Sequence, residues 1–159
     1  MQSGKDTAAN TLIKLGWKRL AFADMLKKEI AQALSIAVKD INSDKESFRE
    51  LLQWWGMWRR KSDPLYWVNG LTPSLEYYAA KEKPVVVTDA RFINELTVLQ
   101  DRQFLTVQIV PKEFPTKYSA SWLHVSEQEW RLWKPNFVIQ NVWNGLDGLA
   151  SDVLSVVHS

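Results

Sequence analysis

The sequence predicts an α/β layer fold with a parallel β-sheet. Segments with β character alternate with segments of helical periodicity, and this order is typical of layered α/β folds. The strongest strand signal is PVVVT at residues 84–88, a continuous β-branched run of the kind that a parallel sheet buries on both faces. A chain of 159 residues, 46% of them apolar, can bury a sizeable core in a single domain.

Four strands are expected. The first alternates apolar and charged residues, the second is the Val-rich run, and the other two are short apolar segments. They lie at about residues 17–22, 85–88, 104–110 and 137–140. Neither an internal repeat nor a long linker separates them, so we expect them to share one domain.

Helical periodicity accounts for most of the remaining chain. The predicted helices begin at about residues 5, 24, 47, 63, 93 and 145. We expect Gly16 to end the first helix, and Asp24 to cap the second, which runs to about Val38. The NGLTP stretch at residues 69–73 predicts a break in the fourth helix, because Gly and Pro both disfavour helix interiors.

The composition excludes several classes of protein. A net charge of +2 is too small to indicate nucleic-acid binding, and the absence of cysteine excludes disulfides and cysteine-ligated metal. The sequence has neither an apolar run long enough to cross a membrane nor a signal peptide, so we expect a cytoplasmic protein without a membrane partner. Nine tryptophans are unusual and predict an aromatic core, an interface or a platform for a base.

The first candidate site is SGKDT at residues 3–7, directly before an Ala-rich helix. In a phosphate-binding loop, backbone N–H groups and the helix N-terminus hold phosphates, while a lysine neutralises their charge. Gly4, Lys5 and Thr7 have the residue types for this role. The full motif needs an earlier glycine and a preceding hydrophobic strand, neither of which is in the sequence, so a chance SGK remains an alternative.

The second candidate is TDARFINE at residues 88–95, directly after the Val-rich strand. Ligands gather at the carboxyl ends of parallel strands, where Asp89 could hold Mg²⁺ or water and Arg91 a phosphate. A capped loop with a surface salt bridge is the alternative.

A third cluster brings arginines together with aromatic and polar residues, a combination that suits a planar anionic ligand such as a nucleotide. Its members are Arg49, Gln53, Arg59, Arg60, Asp63 and Trp67. The alternative is a solvated basic face over an aromatic core, because Trp54, Trp55 and Trp58 fall at core-like helical spacing.

A last motif is the HVSE segment at residues 124–127. It is better explained as a lid contact, a phosphate contact or a plain surface turn than as a metal site, because it offers two ligands without a third.

Together these motifs resemble the deoxynucleoside monophosphate kinases of tailed bacteriophages. The matching segments, in the order of that family, are SGKDTAA, LAFADMLK, RELLQWWG, RRKSDPLYWV, VVVTDARFINE, HVSE and NFVIQN, and they span essentially the whole chain. The resemblance implies a P-loop, adenylate-kinase-like three-layer fold. It also implies transfer of the ATP γ-phosphoryl group, with Mg²⁺, to a deoxynucleoside monophosphate (dNMP) in the host cytoplasm.

The resemblance also implies roles for individual residues. ATP would be held by Ser3, Gly4, Lys5, Asp6, Thr7 and Asn141. Mg²⁺ would lie near Asp6, Thr7 and Asp89, and the catalytic groups would be Lys5, Asp89 and Arg91. The dNMP would face Asp24, Arg49, Gln53, Arg59 and Arg60. His124 and Glu127 would belong to a lid-like segment at about residues 112–133, and about residues 42–80 would form the helical part that binds the monophosphate.

Two departures from the family pattern accompany the resemblance. One is the predicted break at residues 69–73, where the family pattern runs on as helix. The other is the absence of the family's first strand, which lies in the middle of the sheet, between the strands at 85–88 and 104–110. An unfilled gap would leave strand edges unpaired and weaken the grip on phosphate, so kinase activity is expected to be impaired in this form.

Three alternatives therefore follow from the sequence. One is a shortened form of a kinase, and another is an inactive homologue that binds a nucleotide or a host protein and uses exposed tryptophans as anchors. The shortened chain could also form a homodimer that covers the gap in the sheet. A nucleic-acid-binding protein is the third alternative, and its near-neutral charge argues against it.

Overall fold

A computed structural model describes residues 4–111, 132–141 and 146–157 of the chain. The described residues contain helices and short strands in alternation, which confirms the α/β class. In order along the chain they are α1 (Lys5–Lys14), β1 (Lys18–Leu20), α2 (Phe22–Leu34), α3 (Val38–Ser43), α4 (Arg49–Ser62), α5 (Tyr66–Ala79), β2 (Val85–Val87), α6 (Ile93–Asp101), β3 (Val107–Pro111), β4 (Phe137–Asn141) and α7 (Leu146–Val157).

The strands form two separate pairs within the described part of the chain. β1 pairs with β2, and the N–H of Lys18 donates to the carbonyl of Pro84 at 2.8 Å. β3 and β4 pair in parallel, with Ile109 opposite Ile139, as the predicted parallel sheet requires. All four predicted strands are present, although β1 is shorter than residues 17–22 and β3 begins later than residue 104.

The chain divides into two compact units. One contains the described residues up to Arg19 and those from Lys83 onward, and the other contains residues Leu20–Glu82. The first unit has α1 and α7 packed around the β3–β4 pair, with a core that includes Leu12, Ile139 and Val153. The Gly16 residue adopts a φ of 90°, the left-handed conformation expected where α1 ends.

The second unit is a bundle of four helices, α2 to α5. Its core includes Ile30 and Ile41, both with no exposed surface, and partly buried neighbours such as Leu52. Helix α2 ends at Leu34, earlier than predicted, because Ser35 adopts a left-handed conformation with a φ of 54°. The short helix α3 then begins where the N–H of Ala37 donates to the Asp40 carboxylate at 2.9 Å.

The predicted break at residues 69–73 was wrong. Helix α5 is continuous from Tyr66 to Ala79 with Pro73 inside it. A proline removes one helical hydrogen bond and strains the preceding turn. Burial of the α5 side chains opposes that cost, and the buried set is Trp67, Val68, Leu71 and Leu75. Because the helix runs on, one of the two departures from the family pattern disappears.

Helix α5 also contains Gly70, at a point where a side chain of α2 packs closely against its backbone. A β-carbon at this position would overlap the terminal methyl of Met25, and would lie 2.9 Å from its sulfur. A glycine inside a helix is normally unfavourable by about 1 kcal/mol relative to alanine. Here it makes room for the thioether of α2, so the NGLTP stretch is better described as a packing motif than as a turn.

Candidate functional site

The first candidate region is the start of α1. Gly4 precedes the helix with a φ of 93°, in the left-handed region that favours glycine, and its carbonyl accepts the N–H of Ala8 at 2.9 Å. A β-carbon on Gly4 would overlap the side-chain amide of Asn141 and would lie 3.0 Å from Cδ2 of Leu149. Position 4 therefore needs glycine both for its backbone conformation and for the close approach of β4 and α7.

Lys5 and Asp6 form a pair of opposite charges at the first turn of α1. The Nζ of Lys5 lies 3.7 Å from Oδ2 of Asp6, and the two side chains are 38% and 80% exposed. Such an exposed pair contributes little to stability and is easily rearranged. Both side chains can therefore turn towards a charged ligand at small cost, while Thr7, one residue further along the helix, is half-buried.

The second candidate region is the loop between β2 and α6, which contains Asp89 and Arg91. Both residues are half-buried and follow directly on the strand, as predicted. The loop is organised by Glu95, which is only 2% exposed. Its Oε2 accepts the N–H of Arg91 at 3.0 Å and the N–H of Phe92 at 3.3 Å, so a buried carboxylate fixes the backbone on which Arg91 lies.

The third candidate region lies in the helical unit around Glu29, which had no predicted role. Oε1 of Glu29 accepts the indole N–H of Trp55 at 3.0 Å and the Nε–H of Arg59 at 2.6 Å. Oε2 accepts the hydroxyl of Tyr66 at 3.1 Å. We call these four residues the Glu29 cluster. It connects helices α2, α4 and α5 through one carboxylate.

Arg59 is held on several sides within this cluster. Besides its ion pair with Glu29, its guanidinium carbon lies 4.7 Å from the ring centre of Trp58 and 4.8 Å from that of Tyr66. These are distances at which a cation interacts favourably with an aromatic face. The positive charge of Arg59 is therefore already offset by a carboxylate, which an anionic ligand would have to displace.

The Glu29 cluster also changes the acidity of Tyr66. Burial raises the pKa of the Tyr66 hydroxyl above its ordinary value, the hydrogen bond and negative charge of Glu29 raise it further, and the positive charge of Arg59 opposes them. The neutral phenol is thus the form that the folded protein favours. This hydroxyl acts as a hydrogen-bond donor and is not prepared to act as a base.

The remaining residues predicted to bind the monophosphate have different surroundings. Arg49, Gln53 and Arg60 recur at helical spacing along one side of α4, and Nη1 of Arg60 donates to the Gly56 carbonyl at 3.3 Å. Arg49 is exposed and pairs with Glu46 at 2.5 Å. The hydrogen bond and charge of Glu46 raise the pKa of Arg49, so its guanidinium stays charged.

Gly56 and Asp24 also lie in the helical unit. The Gly56 carbonyl accepts a second hydrogen bond from the indole of Trp67 at 3.1 Å, and Trp67 is only 2% exposed. Asp24 lies in the first turn of α2, whose N-cap is Ala21, so it does not cap the helix as predicted. All five residues predicted to bind the monophosphate lie in the helical unit, whereas Lys5, Asp89, Arg91 and Asn141 lie in the other unit.

Two tryptophans of α4 do not belong to the core that their spacing predicts. Trp54 and Trp58 are 60% and 43% exposed, and their rings are parallel, with centres 5.9 Å apart. Trp55, between them in sequence, is half-buried and bonded to Glu29. The core interpretation was therefore wrong for Trp54 and Trp58, and this face of α4 exposes an apolar surface.

Several predicted residues lie outside the described part of the chain. These are Ser3, His124 and Glu127, together with residues 112–131 of the lid-like segment. Among the described residues, no three His, Asp or Glu side chains are close enough to hold a metal ion, and no helix is both long and apolar enough to cross a membrane.

No protein-family model matches the chain, and no curated protein is significantly similar to it. The resemblance to the phage kinases therefore rests on the short motifs themselves.

Proposed function

We propose that this protein is a deoxynucleoside monophosphate kinase-like phosphotransferase. It would move the γ-phosphoryl group of ATP to a phosphate oxygen of a dNMP, giving ADP and a deoxynucleoside diphosphate. The observation that carries the proposal is the left-handed Gly4 followed by Lys5 at the N-terminus of α1, directly beside the end of a parallel strand. Glycine, lysine and a helix N-terminus in this order are the elements with which phosphate-binding loops hold polyphosphate.

The residues at the start of α1 fit the phosphates of ATP with Mg²⁺. The exposed ammonium of Lys5 can leave Asp6 for a more strongly charged partner, and the helix N-terminus favours anions. Mg²⁺ in phosphoryl-transfer sites is usually held by one or two carboxylates together with phosphate oxygens, so a cluster of three acidic side chains is not needed. Asp6, Thr7 and Asp89 are the residues that would hold it. The bound nucleotide and metal supply the transferable group and neutralise its charge.

The protein would contribute mainly position and charge, because phosphoryl transfer needs little covalent chemistry from side chains. Arg91 would contact the transferring phosphate from a backbone that Glu95 holds in place. On the acceptor side, Arg49, Gln53 and Arg60 share one side of α4 and would face the dNMP, together with Asp24. Arg59 would join this group only when the monophosphate displaces Glu29 from its guanidinium.

We expect the turnover of this chain to be weak. Within the described residues β2 and β3 belong to different two-stranded sheets, and the resemblance implies a further strand between them. A protein in which no strand fills this position would align fewer backbone N–H groups on phosphate.

The test is an ATP-dependent phosphorylation assay with each dNMP in turn. The 159-residue chain is compared with a version that carries a hydrophobic strand and a loop glycine in front of Met1. We expect slow formation of diphosphate by the first protein and faster formation by the second. Lys5→Ala should abolish the activity of both, because it removes the charge that neutralises phosphate. Activity that survives Lys5→Ala would refute the phosphate-loop assignment, and equal turnover by the two proteins would refute the role of the added strand.

A second candidate is an inactive homologue that binds a nucleotide or a host protein. The exposed, parallel rings of Trp54 and Trp58 favour it, since tryptophan is a common anchor of protein interfaces. ATP binding without turnover by either version would support the nucleotide-binding form. For the protein-binding form, a host protein should be retained by the wild-type chain and lost by the Trp54→Ala/Trp58→Ala variant. A salt-dependent gel shift would instead indicate nucleic acid.

A further inference from the structure

The end of strand β4 buries a polar side chain. Asn141 is the last residue of β4 and only 7% exposed, and Glu95 is the other polar residue buried to this degree in the described part of the chain. Burial of an amide is costly unless its polar atoms are satisfied. A buried asparagine at the carboxyl end of a parallel strand is therefore maintained by the interactions it makes there.

The side chain of Asn141 lies directly against the backbone of Gly4. The amide nitrogen occupies the volume that a β-carbon on Gly4 would need, so the two residues are in van der Waals contact across α1 and β4. Gly4 has a φ of 93° in this position, and its carbonyl accepts the N–H of Ala8 to form the first turn of α1. The Asn141 amide and Gly4 are thus packed against one another, so the conformation of Gly4 and the position of the amide depend on each other.

We propose that Asn141 is a positioning residue for the phosphate-binding loop and does not contact the base of the nucleotide. The inference rests on the proposed function and refines it, because the resemblance alone places this residue on the adenine side. The carboxamide of Asn141 is neutral, so it can pack against Gly4 and support its conformation without repelling phosphate. A carboxylate of the same shape would bring a negative charge to this position.

Binding measurements separate the two roles of Asn141. The dissociation constants of ATP, inorganic tripolyphosphate and adenosine are measured by calorimetry for the wild-type chain and for Asn141→Ala. A positioning role predicts that ATP and tripolyphosphate both bind about tenfold more weakly, with adenosine unchanged, since only the phosphate contacts depend on the loop. The isosteric Asn141→Asp should weaken tripolyphosphate binding further, and more at low salt. Weaker adenosine binding with unchanged tripolyphosphate binding would overturn the proposal.

A second measurement needs no ligand. Hydrogen exchange at the amide of Ala8 reports the opening of the first turn of α1. We expect Asn141→Ala to accelerate this exchange by about tenfold, while the amides of the helical unit stay unchanged. The matched control is Asn136→Ala at the opposite end of β4, where the Asn136 carboxamide accepts the N–H of Thr106 at 2.8 Å. This control should leave the Ala8 amide unchanged.

The two measurements distinguish the failure of this inference from the failure of the proposed function. A wild-type chain that binds neither ATP nor tripolyphosphate would refute the phosphate loop, while faster Ala8 exchange in Asn141→Ala would still establish the control of Gly4 by Asn141. Unchanged Ala8 exchange in Asn141→Ala, or an equal acceleration by Asn136→Ala, would overturn the positioning role whatever the protein binds.

Discussion

Replacement of Glu29 by alanine should destabilise the helical unit far more than the loss of one surface charge. The carboxylate accepts hydrogen bonds from Trp55, Arg59 and Tyr66, and the substitution leaves all three donors without this acceptor. The side chains of Glu29 and Arg59 are 22% and 32% exposed, so water can compensate only in part. A partly buried charged cluster is therefore lost at once.

The size of the effect follows from the kind of hydrogen bonds that are lost. A hydrogen bond to a charged group contributes about 1.5–3 kcal/mol, and bonds that share one acceptor are not additive. Partial access of water lowers the cost of each unsatisfied donor. We therefore expect Glu29→Ala to lower the free energy of unfolding by about 2–4 kcal/mol, which is a large part of the stability of a small unit.

The assay is urea unfolding followed by tryptophan fluorescence, because the helical unit contains Trp54, Trp55, Trp58 and Trp67, and Trp55 belongs to the cluster. The matched control is Glu46→Ala, which removes another glutamate that pairs with an arginine, Arg49, where both side chains are largely exposed. The control should unfold like the wild type, since exposed ion pairs contribute little. A Glu29→Ala variant that is as stable as Glu46→Ala would refute the reasoning that the cluster holds the three helices together.

Two further predictions concern pH and glycine. Because the pKa of Tyr66 is raised in the folded state, the stability that its proton provides is fully present below the ordinary tyrosine pKa of 10.0 and is lost as pH rises through the folded value. Urea midpoints above about pH 10 should therefore fall more steeply for the wild type than for Tyr66→Phe, and parallel curves would contradict this. Gly16→Ala should cost about 1–2 kcal/mol, since its φ of 90° is strained for alanine and no atom lies within 4 Å of the new β-carbon. Gly4→Ala should lower the thermal midpoint further, because strain and overlap with Asn141 add; equal losses would argue against that overlap.

The backbone architecture could be predicted because its signals are local. A β-branched run, a helical repeat and a glycine at a helix end act on neighbouring residues, and the four strands and the left-handed Gly16 follow from them. The failure at residues 69–73 has the opposite origin. Gly70 and Pro73 disfavour a helix locally, but burial of α5 side chains and the fit of Met25 against Gly70 favour it, and neither is visible in a single segment.

The two carboxylates that organise the candidate regions were missed for related reasons. Glu95 stands at the third position of α6 and bonds to N–H groups just before the helix, so the capping pattern of the sequence could have revealed it. Glu29 has no such local signal. Its partners lie 26, 30 and 37 residues away, and only the packing of three helices brings them together.

The neighbouring arginines of α4 show why a basic cluster in a sequence does not define a binding site. Consecutive residues of a helix point about 100° apart, so the side chains of Arg59 and Arg60 leave α4 in different directions. Arg59 reaches α2, where Glu29 offsets its charge, and Arg60 turns back to the carbonyl of Gly56 on the side that carries Arg49. A ligand that needs both charges would have to break the Glu29 cluster, and binding would then weaken the helical unit. A ligand that needs only Arg60 would leave the cluster intact, so the change in stability on dNMP binding distinguishes the two arrangements.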